Sequence, residues 1–270
     1  MNSAVARVSD VLRLRFQSAL VLIAAALAAL WFGPPWIAIL VGAAGLAMGW
    51  EWGRLTADGR FGARAAVVMA TPPIAAAIAA SGWFLAALIA AAVGSVAGAA
   101  VRRRDRALTA FGTGWIAGGC VAFLWLIETR LGGRLTLCFL LGIVWSTDIF
   151  AYFVGRAVGG PKLAPSLSPN KTWAGFAGGL AGAAIAGAVA AAANGSSYLA
   201  PIAAALALSV VAQAGDLGES WVKRHFAVKD ASGLIPGHGG VLDRLDGLLA
   251  ATLAAALFTL AFGAGILGFG

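Results

Sequence analysis

Charge is scarce in this chain. Only 11% of its 270 residues are Asp, Glu, Lys or Arg, while 61% are hydrophobic, and the mean hydropathy is +0.89. A soluble domain of this size is not built from so few charges, so that class is excluded. Acidic residues are the scarcer sign, 11 against 19 basic ones, leaving a formal charge of +8. Such an excess can mark a nucleic-acid binder. Here the basic residues are scattered at the ends of apolar runs, a topogenic pattern, and no nucleic acid is expected as a partner. Cysteine is nearly absent: Cys120 and Cys138 both lie inside apolar runs. A disulfide framework is therefore not indicated, and both are expected to be packing residues. No small-residue cleavage site leads into a polar region, so no cleavable signal peptide is expected. The many Ala-Gly stretches resemble one another without forming an internal repeat.

What is present is a series of apolar runs, at roughly 16–32, 36–50, 64–80, 82–100, 110–127, 134–154, 173–193, 198–214 and 247–268. These predict an all-α, polytopic integral membrane protein of about nine transmembrane helices. Turns with aromatic anchors separate some of them, at Phe32-Gly33-Pro34-Pro35-Trp36 and Ser81-Gly82-Trp83. The run AGGLAGAAIAG in the seventh span predicts close helix packing through small residues. Residues 1–132, spans one to five, are expected to be a scaffold. Residues 133–270 are expected to be a catalytic region with two polar loops, 155–172 and 215–246.

Orientation follows from counting basic residues. With the N-terminus in the cytoplasm, the inner segments carry Arg7, Arg13, Arg15, Arg54, Arg60, Arg64, Arg102, Arg103, Arg104, Arg106, Arg156, Lys162, Lys171, Lys223, Arg224, Lys229 and Arg244. The outer segments carry only Arg130 and Arg134. Both polar loops are then expected to face the cytoplasm.

The first loop is announced by Asp148 in the inner half of span six, with Tyr152 one turn later on the same face. An ionisable residue at that depth is a functional candidate, the alternative being a helix–helix hydrogen bond. Gly155, Arg156, Lys162, Ser168, Asn170, Lys171 and Thr172 follow, offering cations, hydroxyls and backbone N–H groups at a helix entrance. Such a set binds anions, phosphates above all. A merely basic loop obeying the topology rule is the plainer alternative, above all for Arg156.

The second loop, 215–246, holds five of the eleven carboxylates (Asp216, Glu219, Asp230, Asp243, Asp246), four basic residues and both histidines. Asp216, Glu219, Ser220 and Lys223 recur at helical spacing on one face continuing from span eight. Asp243 and Asp246 lie three apart at the start of span nine, where simple capping is the alternative to ligation. Carboxylates gathered beside phosphate-binding cations suit a hard cation, Mg²⁺ with a nucleotide. Gly237, Gly239 and Gly240 permit close backbone approach. His238, between two of them, could contact phosphate or orient a carboxylate, and His225 reads as a surface residue.

From Ser220 to Asp246 the pattern S-x-V-K-R-x4-K-D-x-S-x2-I-P-G-H-G-G-x-L-D-R-x-D resembles the signature of the phosphatidate cytidylyltransferases, or CDP-diacylglycerol synthases. Ser146-Thr147-Asp148, Tyr152, Gly155-Arg156, Lys162-Leu163 and Ser168-Pro169-x-Lys171-Thr172 resemble that family in order and spacing. The specific resemblance covers about residues 140–250. Ala174 departs from it, standing where the family usually carries Glu or Gln, as does Gly247, where it usually has Ser.

The resemblance implies transfer of a cytidylyl group from CTP to phosphatidate, giving CDP-diacylglycerol and pyrophosphate at the cytoplasmic face of the inner membrane of a bacterium-like cell. It implies Asp216, Asp243 and Asp246 as Mg²⁺ ligands, acting with Lys223 and Arg244 in catalysis. For substrate it implies Asp148, Tyr152, Arg156, Lys162, Ser168, Lys171, Thr172, Ser220, Arg224, Lys229, His238, Gly239 and Gly240. A monovalent cation such as K⁺ beside Mg²⁺ is a further implication, and a homodimer is carried as an assembly to be tested. The rival readings are a transporter for an anionic solute, which would place its polar groups near the midplane, and a CTP-dependent lipid or prenol kinase. Apart from Asp148 and the boundary residue Glu51, the charges lie at the cytoplasmic ends of the spans.

Overall fold

A computed structural model describes residues 2–57, 59–101, 105–128, 133–237 and 239–262, with the side chains of the first helix described at 14, 17, 18 and from 20 onward. Of the residues singled out above, Arg102, Arg103, Arg104, Arg130 and His238 lie outside the described residues, as do the side chains of Arg7, Arg13 and Arg15. In chain order the elements are α1 (Asn2–Phe32), α2 (Pro34–Thr56), α3 (Ala63–Ala80), α4 (Phe84–Ala100), α5 (Arg106–Glu128) and α6 (Gly133–Val158). Then follow β1 (Lys162–Ala164), β2 (Ser168–Thr172), α7 (Trp173–Asn194), α8 (Leu199–His225) and α9 (Leu242–Phe262).

The chain is an all-α, polytopic membrane protein. Among the described residues, α2, α3, α5, α6, α7, α8 and α9 are long and apolar enough to cross a bilayer. The apolar stretch Leu20–Phe32 of α1 and the whole of α4 are shorter. Large side chains such as Leu85, Val96, Ile149 and Phe153 stay exposed, as surfaces that meet lipid tails can.

Local chemistry sets the helix ends. Gly33 turns the chain with φ +95°, and Pro34 and Pro35 then open α2, where their missing N–H groups cost nothing. Thr172 caps α7, its hydroxyl oxygen accepting from Gly175 N at 3.0 Å, and Gly195 closes that helix in the left-handed region.

Two differences from the sequence expectation concern the polar loops. α6 continues to Val158, α8 runs to His225 and α9 begins at Leu242, so the loops are shorter than 155–172 and 215–246. Hydropathy marks where a helix leaves the apolar phase, whereas a helix ends where its hydrogen bonds do. The first loop also folds into an antiparallel hairpin pairing Lys162 with Thr172 and Ala164 with Ser168. Strands this short, one containing Pro169, carry no alternation by which to be recognised.

The chain divides into two compact units, Met1–Leu124 with Val228–Arg244, and Trp125–Ala227 with Leu245–Gly270. In the first, Trp52 is 1% exposed and donates its indole N–H to Thr109 O at 3.3 Å. Arg64, which the charge count treats as topogenic, is buried and donates to Thr56 O at 2.8 Å and Gly98 O at 3.4 Å. It thereby satisfies carbonyls at the C-terminal ends of α2 and α4. In the second, the small residues of α7 lie against α6 as expected: a Cβ on Gly182 would fall 2.6 Å from Ser146 O, so only glycine allows that approach.

Candidate active site

Within the second unit the β-hairpin delivers Lys171 to the first turn of α7, immediately before the capping Thr172. Its ammonium forms an ion pair with the carboxylate of Asp216 on α8. Asp246, on α9, is 7% exposed; its Oδ1 accepts from Gly247 N at 2.7 Å. Asp246 also feels the charges of Asp216, Asp148 and Lys171. Carboxyl groups from α6, α8 and α9 and the Lys171 ammonium thus belong to one electrostatic neighbourhood.

The helical face expected on α8 is formed. Glu219 is buried and pairs with Lys223 at 2.5 Å, one turn on. Ser220 and Asp216 are half-buried on the same helix. Below them, Thr147 on α6 donates its hydroxyl to Ser209 Oγ on α8 at 2.9 Å, and Gln213 Nε2 donates to the same oxygen at 3.4 Å. Arg224 Nε donates to Leu167 O at 3.4 Å, tying the hairpin turn to α8. Arg156 Nη1 donates to the Tyr152 hydroxyl at 3.2 Å, both side chains being exposed on α6 near Asp148. Lys162 is exposed, Ser168 half-buried, and His225 is exposed, stacked on Trp221.

The first unit holds the rest of the signature. Ile235 and Gly239 exchange backbone hydrogen bonds at 2.8 and 3.2 Å across a tight turn in which Gly237 and Gly239 take φ of +75° and +87°. Asp243 turns back toward this loop, its Oδ2 accepting from Gly240 N at 2.7 Å and Ala231 N at 3.1 Å. Asp243 thereby holds the loop that precedes α9. Lys229, Asp230, Ser232, Gly239 and Arg244 line a cavity of about 660 Å³. One residue the motif did not supply is Glu51 on α2, which is fully buried and accepts hydrogen bonds from this loop. Its signal in the sequence was a lone acid at the boundary of an apolar run.

The donor chemistry suits a hard divalent cation. Among the described residues no group of three or more His, Cys, Asp or Glu stands ready to hold a metal unaided. Mg²⁺ commonly takes one or two carboxylates and completes its shell with substrate phosphates and water, and the carboxyl-rich neighbourhood of Asp216 and Asp246 matches that use.

Fold and site together define a polytopic all-α membrane protein with acidic and basic side chains gathered at its helix ends. The chain matches the model of the cytidylyltransferase family over residues 13–262, and it belongs to that family. It is similar to the phosphatidate cytidylyltransferase of Brucella melitensis, 53% identical over 136 residues, 47% of either chain. It is similar also to that of Bacillus subtilis, 48% identical over 109 residues, 40% of either chain. For the Staphylococcus saprophyticus enzyme the identity is 44% over 132 residues, 48% of this chain and 50% of the relative. The chain thus spans about half the length of the curated relatives it matches.

Proposed function

We propose that this protein transfers a cytidylyl group from CTP to phosphatidate, releasing pyrophosphate and leaving CDP-diacylglycerol in a bacterial inner membrane. The observation that carries this reading is the Lys171–Asp216 ion pair in the electrostatic neighbourhood of Asp246 and Asp148, beside the 162–172 hairpin. The activity for which the relatives are named supports it.

The chemistry asks for little from the protein beyond placement. An oxygen of phosphatidate's phosphate, anionic at neutral pH, bonds to the α-phosphorus of CTP while the bond from that phosphorus to the bridging β-phosphate oxygen breaks. Pyrophosphate leaves with the electron pair, and no strong base is needed. The barrier lies in bringing two polyanions together and stabilising the departing charge. Asp216 and Asp246 would hold Mg²⁺; the cation would supply charge neutralisation on the phosphates. Lys171 binds phosphate at the start of α7, where its ammonium and the helix N-terminus act together. Lys223 and Arg224 on α8, and Lys229 and Arg244 in the first unit, are the further phosphate ligands of this reading. We place the nine helices with the N-terminus and both polar loops in the cytoplasm, where CTP is.

The deciding experiment supplies CTP labelled in the cytidine and at the γ-phosphate, together with phosphatidate and Mg²⁺. Labelled CDP-lipid with pyrophosphate supports the reading. Phosphorylated lipid with CDP would make the protein a kinase, and absence of turnover would favour a transporter.

A further inference from the structure

Glu51 is the single acidic residue of α2, and it is 0% exposed. A carboxylate taken out of water needs donors to replace its hydration. Ser232 Oγ donates to Oε1 at 2.6 Å, Val241 N to Oε1 at 2.8 Å and Leu242 N to Oε2 at 2.7 Å. Ser232 Oγ in turn accepts from Leu234 N at 3.1 Å. These donors stand on both arms of the segment 228–242, so one side chain of α2 ties the arms together and caps the start of α9. Gly240 makes the approach possible: a Cβ there would fall 2.7 Å from Oε1. The segment held in this way supplies the lining of the cavity that carries Lys229 and Arg244.

We propose that Glu51 is a positioning residue: by fixing both arms of this segment it sets the Lys229 and Arg244 cavity to receive a substrate phosphate group. It touches no substrate and acts through Ser232 and the backbone of Val241 and Leu242. That the phosphate belongs to CTP or to phosphatidate rests on the reaction proposed above. A residue that only stabilised the fold would, when replaced, reduce the active fraction and hence the maximal rate, leaving KM unmoved. A positioning residue moves KM.

Glu51→Gln is the informative replacement, because glutamine matches the size but keeps one acceptor oxygen and turns an NH₂ toward groups that donate. With the full chain in lipid nanodiscs, amide exchange at residues 240–242 is expected to quicken by about tenfold while α3 and α4 keep their protection. KM for the substrate whose phosphate occupies the cavity is expected to rise about tenfold, more than kcat falls. Glu51→Asp, which keeps both oxygens, should recover part of the loss. Ser232→Ala, which removes one of the three donors, should shift the same KM in the same direction by a smaller factor and provides the test if Glu51→Gln fails to insert.

A rise confined to CTP assigns the cavity to the nucleotide; a rise confined to phosphatidate assigns it to the lipid headgroup. Unchanged exchange at 240–242, or faster exchange with both KM values unmoved, overturns the proposal, as does a Ser232→Ala protein indistinguishable from the parent. A wild-type protein without turnover would sink the reaction itself. The cavity would then be tested by protection of 229–244 by pyrophosphate in the parent and its loss in Glu51→Gln, absence of that difference overturning the role of Glu51.

Discussion

Lys171 and Asp216 are 45 positions apart in the chain and joined by an ion pair. Read from sequence, they have separate duties, one for phosphate and one for metal. Their pairing couples the two. Lys171→Gln is expected to raise the CTP KM and lower kcat, and also to reduce the Mg²⁺ concentration at half-maximal rate, since it strips a competing cation from Asp216. A Mg²⁺ titration that did not move would show that the pair separates before metal binds. Asp216→Asn keeps the size and loses the charge that a hard cation wants. Activity should fall on the order of a hundredfold with insertion and thermal stability preserved, because a half-exposed pair contributes little to folding. Near-normal turnover at ordinary Mg²⁺ would remove Asp216 from the ligand set.

At the level of elements, the start of α7 is the most readable junction and the most exposed to attack. Thr172 caps it through a single hydroxyl. Thr172→Ala is expected to cost about 1 kcal/mol and to lower the unfolding midpoint by a few degrees, while Thr172→Ser restores both. An unchanged midpoint would mean that packing against α6 alone holds this end. The sequence placed Thr172 at a helix entrance as a phosphate-binding hydroxyl, whereas its capping bond to Gly175 N is seen only in the structure. The apolar run of span six, 134–154, also lies within α6, whose described bounds are Gly133–Val158. Sequence showed the polar continuation of α8, where Asp216, Glu219 and Lys223 keep helical spacing after hydropathy falls, but not where that helix ends. Nor could it show the hairpin, whose strands of 3 and 5 residues are set by backbone pairing. Glu51 was visible only as an anomaly: its donors lie 181 to 191 positions away, and no local pattern joins them.

At the scale of the whole molecule, orientation is open to direct test. In a Cys138→Ser background, Cys introduced at Ser166 in the hairpin turn and at Leu234 in the second loop, both exposed, should react with a membrane-impermeant maleimide only from the cytoplasmic face. Labelling of either from outside would reverse the topology derived from the basic residues. The length of α8 carries a further consequence. Its 27 residues measure about 40 Å at the usual rise, against a hydrocarbon layer of roughly 30 Å. Counted from Leu199 at one boundary of an upright helix, Asp216 falls about 26 Å along, just short of the far boundary, and Lys223 and Arg224 about 36 to 38 Å along, beyond it. A double-tailed phospholipid could then present its phosphate to this helix without lifting a carbon of its chains from the bilayer. Lateral diffusion within the leaflet would deliver one reactant, the aqueous phase the other, and the product would be left in the same leaflet, already anchored.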